Sequence, residues 1–230
     1  MFRQITANKE TNSMSNPTKP IETARGLLEW VTITGEGKEN LSGKMQYTAN
    51  LVLTNPEDIA AVKEQINTFW EANKPKGFSK PPKSTGVYEH TVASGEKDEN
   101  GKNVYKPSGH MYLSFKTGTS YTDGKPKVIK VLNSKNNPVV LGETKIGNGS
   151  IGRIAGVMGI YTNKTKQGVV LEAGVTLYLD GIKLLKLEEF SGGPAFGNDD
   201  DEFEAVGEQF VGEEAPVEQA AETATSRPRL

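Results

Sequence analysis

The sequence predicts a mainly β domain, a small antiparallel barrel with one packed amphipathic helix between disordered termini. Three observations point there. Apolar and polar residues alternate in several segments, one segment alone repeats its apolar residues at helical spacing, and glycines fall inside the strand-like runs. The first twenty and last forty positions are poor in apolar residues, which leaves about 170 to fold, the size of one compact domain.

Residues 1–20 are polar, carry Pro17 and Pro20, and read as disordered. Met14 opens a run that reads as a natural start, which would make residues 1–13 an extension. Leu27 to Thr34 is rich in β-branched and aromatic residues and predicts a strand that ends at Gly35. From Lys44 to Leu53, Met45, Tyr47, Ala49, Leu51 and Leu53 alternate with Gln46, Thr48 and Asn50, so one face is buried and the other wet. The period then changes. Asn55 suits an N-cap and Pro56 the first helical position, Glu57 and Asp58 favour the positive end of the helix dipole, and Ile59, Val62, Ile66 and Phe69 recur at helical spacing to about Ala72. Trp70 closes that apolar stripe.

Asn73 to Lys106 reads as a long basic loop, with Lys74, Lys76, Lys80 and Lys83 among Pro75, Phe78, Pro81 and Pro82. Tyr88, Tyr105 and Lys106 flank a polar hairpin tip near Glu96 to Gly101. So long a connection is either a solvated surface loop or a binding element. Strands follow at His110–Thr117, with Met111, Leu113 and Phe115 inward and Tyr112, Ser114 and Lys116 outward, then at Lys127–Leu132, Ser150–Tyr161 and Val169–Leu187. Asp180-Gly181 predicts a bend or bulge in the last of these. The expected organisation is a disordered 1–20, a folded 21–190 and a tail at 191–230.

Charge divides the chain. Its 27 basic and 29 acidic residues nearly cancel, yet Asp199 to Glu222 contains ten carboxylates, among them Asp199, Asp200, Asp201 and Glu202, and no Lys or Arg. Setting those ten aside with Arg227 and Arg229 leaves 25 basic against 19 acidic residues, a body of about +6. A basic body favours an anionic partner. A tethered polyanion occupies that binding surface at high effective concentration until a stronger polyanion displaces it; its plainer role is a disordered solubiliser.

The chain contains no cysteine, which excludes disulfides, thiolate chemistry and Cys-based zinc sites, and a cytosolic protein is expected. No run reaches the ~18 apolar residues of a membrane span, and the N-terminus lacks the apolar core of a signal peptide. Gly147-Asn-Gly149-Ser-Ile-Gly152 has the letters of a dinucleotide fingerprint, but the residues after it do not suit a helix, so it reads as a glycine turn entering a strand. His90 and His110 have no cysteine to complete a zinc site, and Asp199 to Glu202 lacks the spacing of a calcium loop. Glu172, Asp180 and Glu188 show no spacing that selects them as a nuclease site. No cofactor, no metal and no enzymatic activity are expected.

What remains is a basic β domain with aromatics beside its cations, the chemistry that holds single-stranded nucleic acid: bases stack on aromatic faces, and Lys and Arg follow the phosphates. The candidate contacts are Lys76, Lys80, Lys83, Tyr105, Tyr112, Lys116, Lys130, Arg153, Tyr161, Lys164 and Lys166.

The ordered series Tyr47-Thr-Ala-Asn-Leu-Val-Leu with the Pro56 helix behind it, Met111-Tyr-Leu-Ser-Phe-Lys, Val131-Leu-Asn-Ser-Lys, Gly147-Asn-Gly-Ser, Tyr161 and Val175-Thr-Leu-Tyr-Leu-Asp-Gly-Ile resembles the single-stranded DNA-binding proteins of tailed bacteriophages, of the short OB-fold type with an acidic C-terminal tail. The resemblance spans Ile21 to Glu214. It implies an OB-fold-like barrel, sequence-tolerant binding of single-stranded DNA, and a role in phage DNA replication and recombination in the host cytoplasm. It also singles out Tyr161 and Arg153, and Lys116 less specifically. In such proteins the tail also recruits replication proteins through a terminal aromatic. Here the last aromatic is Phe210, so Phe203 or Phe210 would have to serve. The rival readings are a phage structural or protein-interaction domain with a solubilising tail, and a nuclease acting on the same strands. RNA is a neighbouring ligand, since stacking and phosphate contacts distinguish the sugar poorly.

Overall fold

The computed structural model describes residues 17–189. The tail residues Asp199, Asp200, Asp201, Glu202, Phe203 and Phe210, and the region 191–230 that contains them, lie outside the described residues.

The elements in order are β1 (Thr18–Glu22), β2 (Gly26–Thr32), β3 (Lys38–Glu39), β4 (Met45–Leu53), α1 (Pro56–Asn73), β5 (Val87–Lys97), β6 (Asn103–Gly118), β7 (Lys130–Leu132), β8 (Ser150–Lys164) and β9 (Val170–Lys186). Pairing runs β2 to β4, β4 to β6, β6 to β9, β9 to β8 and β8 back to β2, which closes a five-stranded barrel of the OB-fold type. Most pairings are antiparallel, but β6 with β9 and β7 with β9 are parallel, so the expected all-antiparallel ladder is interrupted on that side. The barrel core is apolar and tight: Leu28, Leu51, Leu113, Phe115, Ile154, Met158, Leu177 and Leu179 are fully buried.

The helix forms for the reasons its sequence shows. The Asn55 Oδ1 accepts the Glu57 backbone N–H at 3.0 Å and Pro56 occupies the first turn. Val62, Ile66, Phe69 and Trp70 face the core. Trp70 meets Phe78 edge to face at 6.0 Å, which anchors the start of the following loop.

Three expectations change. Thr18 to Pro20, expected in the disordered N-terminus, belong to β1, which pairs with β8 and buries Ile21; Pro20 is tolerated because β1 lies at an edge of the sheet. Within the expected 73–106 loop, Val87 to Lys97 is a strand that pairs with an extended β6 in a long hairpin. Most of β5 is exposed and polar on both faces, so it shows no alternation to find. The strand expected at Lys127–Leu132 shortens to Lys130–Leu132. At Asp180 the β8 and β9 register skips one residue on β9, the bulge that Asp180-Gly181 predicts.

Candidate nucleic-acid interface

The outer surface of the barrel carries a cluster of tyrosines. Tyr112 alternates outward from Leu113 and Phe115 on β6, and its cross-strand partner on β5 is Tyr88. The two rings stack with centroids 5.3 Å apart and planes 29° from parallel. The Tyr88 hydroxyl lies 2.8 Å from Ser84 Oγ. Tyr161, near the end of β8, pairs across to Gly174 on β9, and Tyr178 on β9 lies over Gly159 of β8. A Cβ on Gly174 would sit 2.7 Å from the Tyr161 ring, and one on Gly159 would sit 2.7 Å from the Tyr178 ring. Each glycine is the space a tyrosine lies in. Flat tyrosines over strand glycines also repair the packing that glycine leaves out, so the arrangement serves the sheet as well as any ligand.

Tyr112 and Tyr161 are held neutral. Burial first, and the neighbouring Tyr88 second, raise the phenol pKa of Tyr112 above the ordinary value of 10.0, and the same two causes raise that of Tyr161, with Glu172 adding to it. A neutral, partly exposed ring is a stacking platform that does not repel phosphate.

Cations rim this face. Lys116 stands beside Tyr178 through the parallel β6 and β9 register. Lys164 and Lys166 lie at the β8 to β9 turn, next to Tyr161, and both are exposed. The segment before β5 crosses the same end of the barrel: the Lys83 backbone N–H donates to the Ala173 carbonyl and the Val175 N–H to the Ser84 carbonyl, both at 2.8 Å. Lys83 Nζ is 3.3 Å from Glu172, an acid whose pKa is lowered first by a hydrogen bond from Asn163, then by Lys83, and lastly by Lys80. Lys80 and Lys83 therefore reach this face, with Lys83 already partnered. Lys76 sits farther back in the turn that follows α1.

The remaining sequence candidates lie elsewhere. Arg153 is on the same outer side of β8 as Tyr161 but eight residues away, ~26 Å at strand rise. There it lines a groove of about 290 Å³ with Lys130 and Lys183, opposite Glu22 and Asp180, and it lies 3.8 Å from Glu22. Tyr105 projects from the β5 to β6 hairpin opposite Ala93, seven residues or ~24 Å along the strand from Tyr112. Neither joins the tyrosine cluster directly.

No protein-family model matches the chain, and no curated protein matches it. Solved structures do. The chain is similar in structure to phage single-stranded DNA-binding proteins. One is gp2.5, encoded by bacteriophage T7, with a TM-score of 0.44 and 20% identity, covering 77% of this chain and 92% of that one. The protein of bacteriophage Enc34 in complex with ssDNA gives a TM-score of 0.49 and 17% identity over 74% of this chain and 88% of that one. The uncomplexed Enc34 protein gives 0.46 and 14% over 79% and 89%.

Sequence reasoning passed over three residues of the surface. Tyr88 was legible only as a loop aromatic, and Tyr178 only as part of an apolar run. The glycines opposite Tyr161 and Tyr178 were the available signal. Trp30, read simply as part of a strand, is 68% exposed. Among the described residues no group of three His, Asp or Glu side chains is placed to hold a metal ion. His90 instead meets Ser108 Oγ at 2.8 Å and faces Glu29. No described helix is long and apolar enough to cross a membrane.

Proposed function

We propose that this protein binds single-stranded DNA without strong sequence preference, coats it during phage DNA replication and recombination, and does no covalent chemistry on it. One observation carries the reading. Tyr88, Tyr112, Tyr161 and Tyr178 gather on one outer face of the barrel and are rimmed by Lys80, Lys116, Lys164 and Lys166. That pairs the two requirements of single-strand binding, π-faces for unpaired bases and cations for phosphates. The position also suits the fold, since OB barrels take oligonucleotides across their second and third strands, here β4 and β6, and beside the turn between the last two, here β8 and β9. Arg153, Lys130 and Lys183 extend the cationic path along β8 and β9, while Tyr105 and Lys76 are outlying contacts for a longer strand. In this reading the acidic tail competes with DNA for the lysines, and Phe203 or Phe210 is its contact for replication proteins.

The test is fluorescence anisotropy of a labelled oligo-dT with the full chain, competed by unlabelled single-stranded DNA, duplex DNA and RNA, with the oligonucleotide checked for cleavage after incubation with magnesium. The reading expects single-stranded DNA to compete, duplex to compete poorly because its bases are already paired and stacked, and the oligonucleotide to stay intact. Absence of binding at low salt would leave a structural or protein-interaction domain, and cleavage would make it a nuclease.

A further inference from the structure

On the same β4 and β6 face, beginning at Ser114, two residues along β6 from Tyr112, a groove of about 510 Å³ opens between β2, β4 and the turn that precedes β8. Its lining includes Trp30, Gln46, Thr48, Asn50, Ser114 and Asn148. We infer that this groove takes one unstacked nucleobase, with Trp30 as its stacking platform and the neutral amides and hydroxyls reading the hydrogen-bonding edge of the base, which gives the protein a base preference at that position. The inference rests on the single-strand-binding reading above.

Trp30 is placed at a cost. By the alternation of β2 it would follow Leu28 into the core. One extra residue between the pairs Glu29 with Asn50 and Thr32 with Thr48 turns it out instead. Its φ is 51°, the left-handed region that an L-residue with a Cβ avoids. The Asn148 Oδ1 holds it there by accepting the Trp30 backbone N–H at 2.8 Å. This gives the glycine-rich turn Gly147-Asn-Gly149 its purpose: it fits beside β2, with the Gly149 N–H donating to the Leu28 carbonyl at 3.1 Å, and presents Asn148. A large indole held in the solvent on a strained backbone returns nothing to the core, so its use lies in what lands on it.

The groove beside Trp30 differs in chemistry from the tyrosine cluster it adjoins. Thr48 Oγ1 is 3.5 Å from the Trp30 carbonyl, and Gln46 accepts only a long contact from Asn40 at 3.4 Å. The half-buried Asn50 amide and Ser114 hydroxyl bond to no other described side chain. Uncharged groups with open donors and acceptors on a groove floor are poor partners for phosphate and good partners for the edge of a base, as when an Asn or Gln amide reads adenine bidentately. Lys38, Glu39 and Lys145 also line the groove, and the two lysines supply the phosphate contacts.

The experiment uses the full chain and oligonucleotides of dT and of dC about twelve nucleotides long at ~50 mM salt. The two pyrimidines stack alike and differ chiefly at the edge. Of the two tryptophans, Trp70 is buried and Trp30 exposed, so quenching of tryptophan emission by DNA reports Trp30. The inference expects quenching on binding, and a dT to dC affinity ratio at least about fivefold from unity that collapses toward one in Asn50→Ala. Trp30→Gly, which suits the left-handed backbone, keeps or raises the thermal midpoint while losing on the order of tenfold in affinity for both oligonucleotides. Emission unchanged by binding, a wild-type ratio of one, or variants that bind like the wild type would overturn it while leaving single-strand binding intact. If the wild-type chain binds neither oligonucleotide, both readings fall together.

Discussion

Tyr112 and Tyr161 are useful to a polyanion only while they stay uncharged, and their surroundings keep them so. Because burial and then Tyr88 push both phenols above 10.0, the folded protein favours their neutral form. Their contribution to stability is complete below the unfolded value and is lost as pH rises through the raised folded values. DNA affinity should therefore be flat from about pH 6 to 9. A spectrophotometric titration compared with those of the Tyr112→Phe and Tyr161→Phe variants should find both residues ionising above the ordinary tyrosine value. A phenolate appearing in either residue below the ordinary value would contradict the assignment. Among the described residues, Glu172 is the acid that pairs with a lysine at this end, through its contact with Lys83. Glu172→Gln frees Lys83 for phosphate, so binding should tighten by about twofold and the slope of log affinity against log salt should steepen by about 0.7, as read from titrations at several salt concentrations.

At the scale of the element, the glycines opposite the tyrosines decide the geometry. Gly174→Ala would place its Cβ 2.6 Å from the Ser84 carbonyl oxygen as well as against Tyr161, and backbone cannot give way as a side chain can. The substitution should destabilise the fold by about 1–3 kcal/mol, measured by denaturant unfolding, and weaken DNA binding by displacing the ring. The same scale explains what could be read in advance. β4, β6 and α1 were legible because one of their faces is buried, so their periods are clean, and Tyr112 and Lys116 fell on the correct side of β6. β5 was not, because solvent lies on both its faces and no period survives. Trp30 was not, because a one-residue bulge turns the residues beyond it about the strand, and nothing in Glu29-Trp30-Val31 announces the bulge. Arg153 and Tyr161 were named together as candidate contacts on one predicted strand, and at strand rise they stand ~26 Å apart, so they do not form one site.

At the scale of the whole molecule, a basic body carries its own polyanion. Ending the chain at Gly197 removes the ten acidic residues, and the remaining body should bind oligo-dT more tightly than the full chain, with the difference shrinking as salt rises. Equal affinities at low salt would make the tail a solubiliser. The central claim, that bases stack on the tyrosine face while lysines hold the phosphates, is tested most directly by one anisotropy series. Oligo-dT is titrated with the full chain and with the Tyr112→Ala/Tyr161→Ala double variant across salt concentrations. The four rim lysines alone predict a log–log slope of magnitude at least about 3 for both proteins, larger where the outlying cations also engage. The double variant should be weaker by a roughly constant factor, on the order of a hundredfold, at every salt concentration. Equal affinity of the two proteins, or no binding of the full chain at ~50 mM salt, would contradict the account.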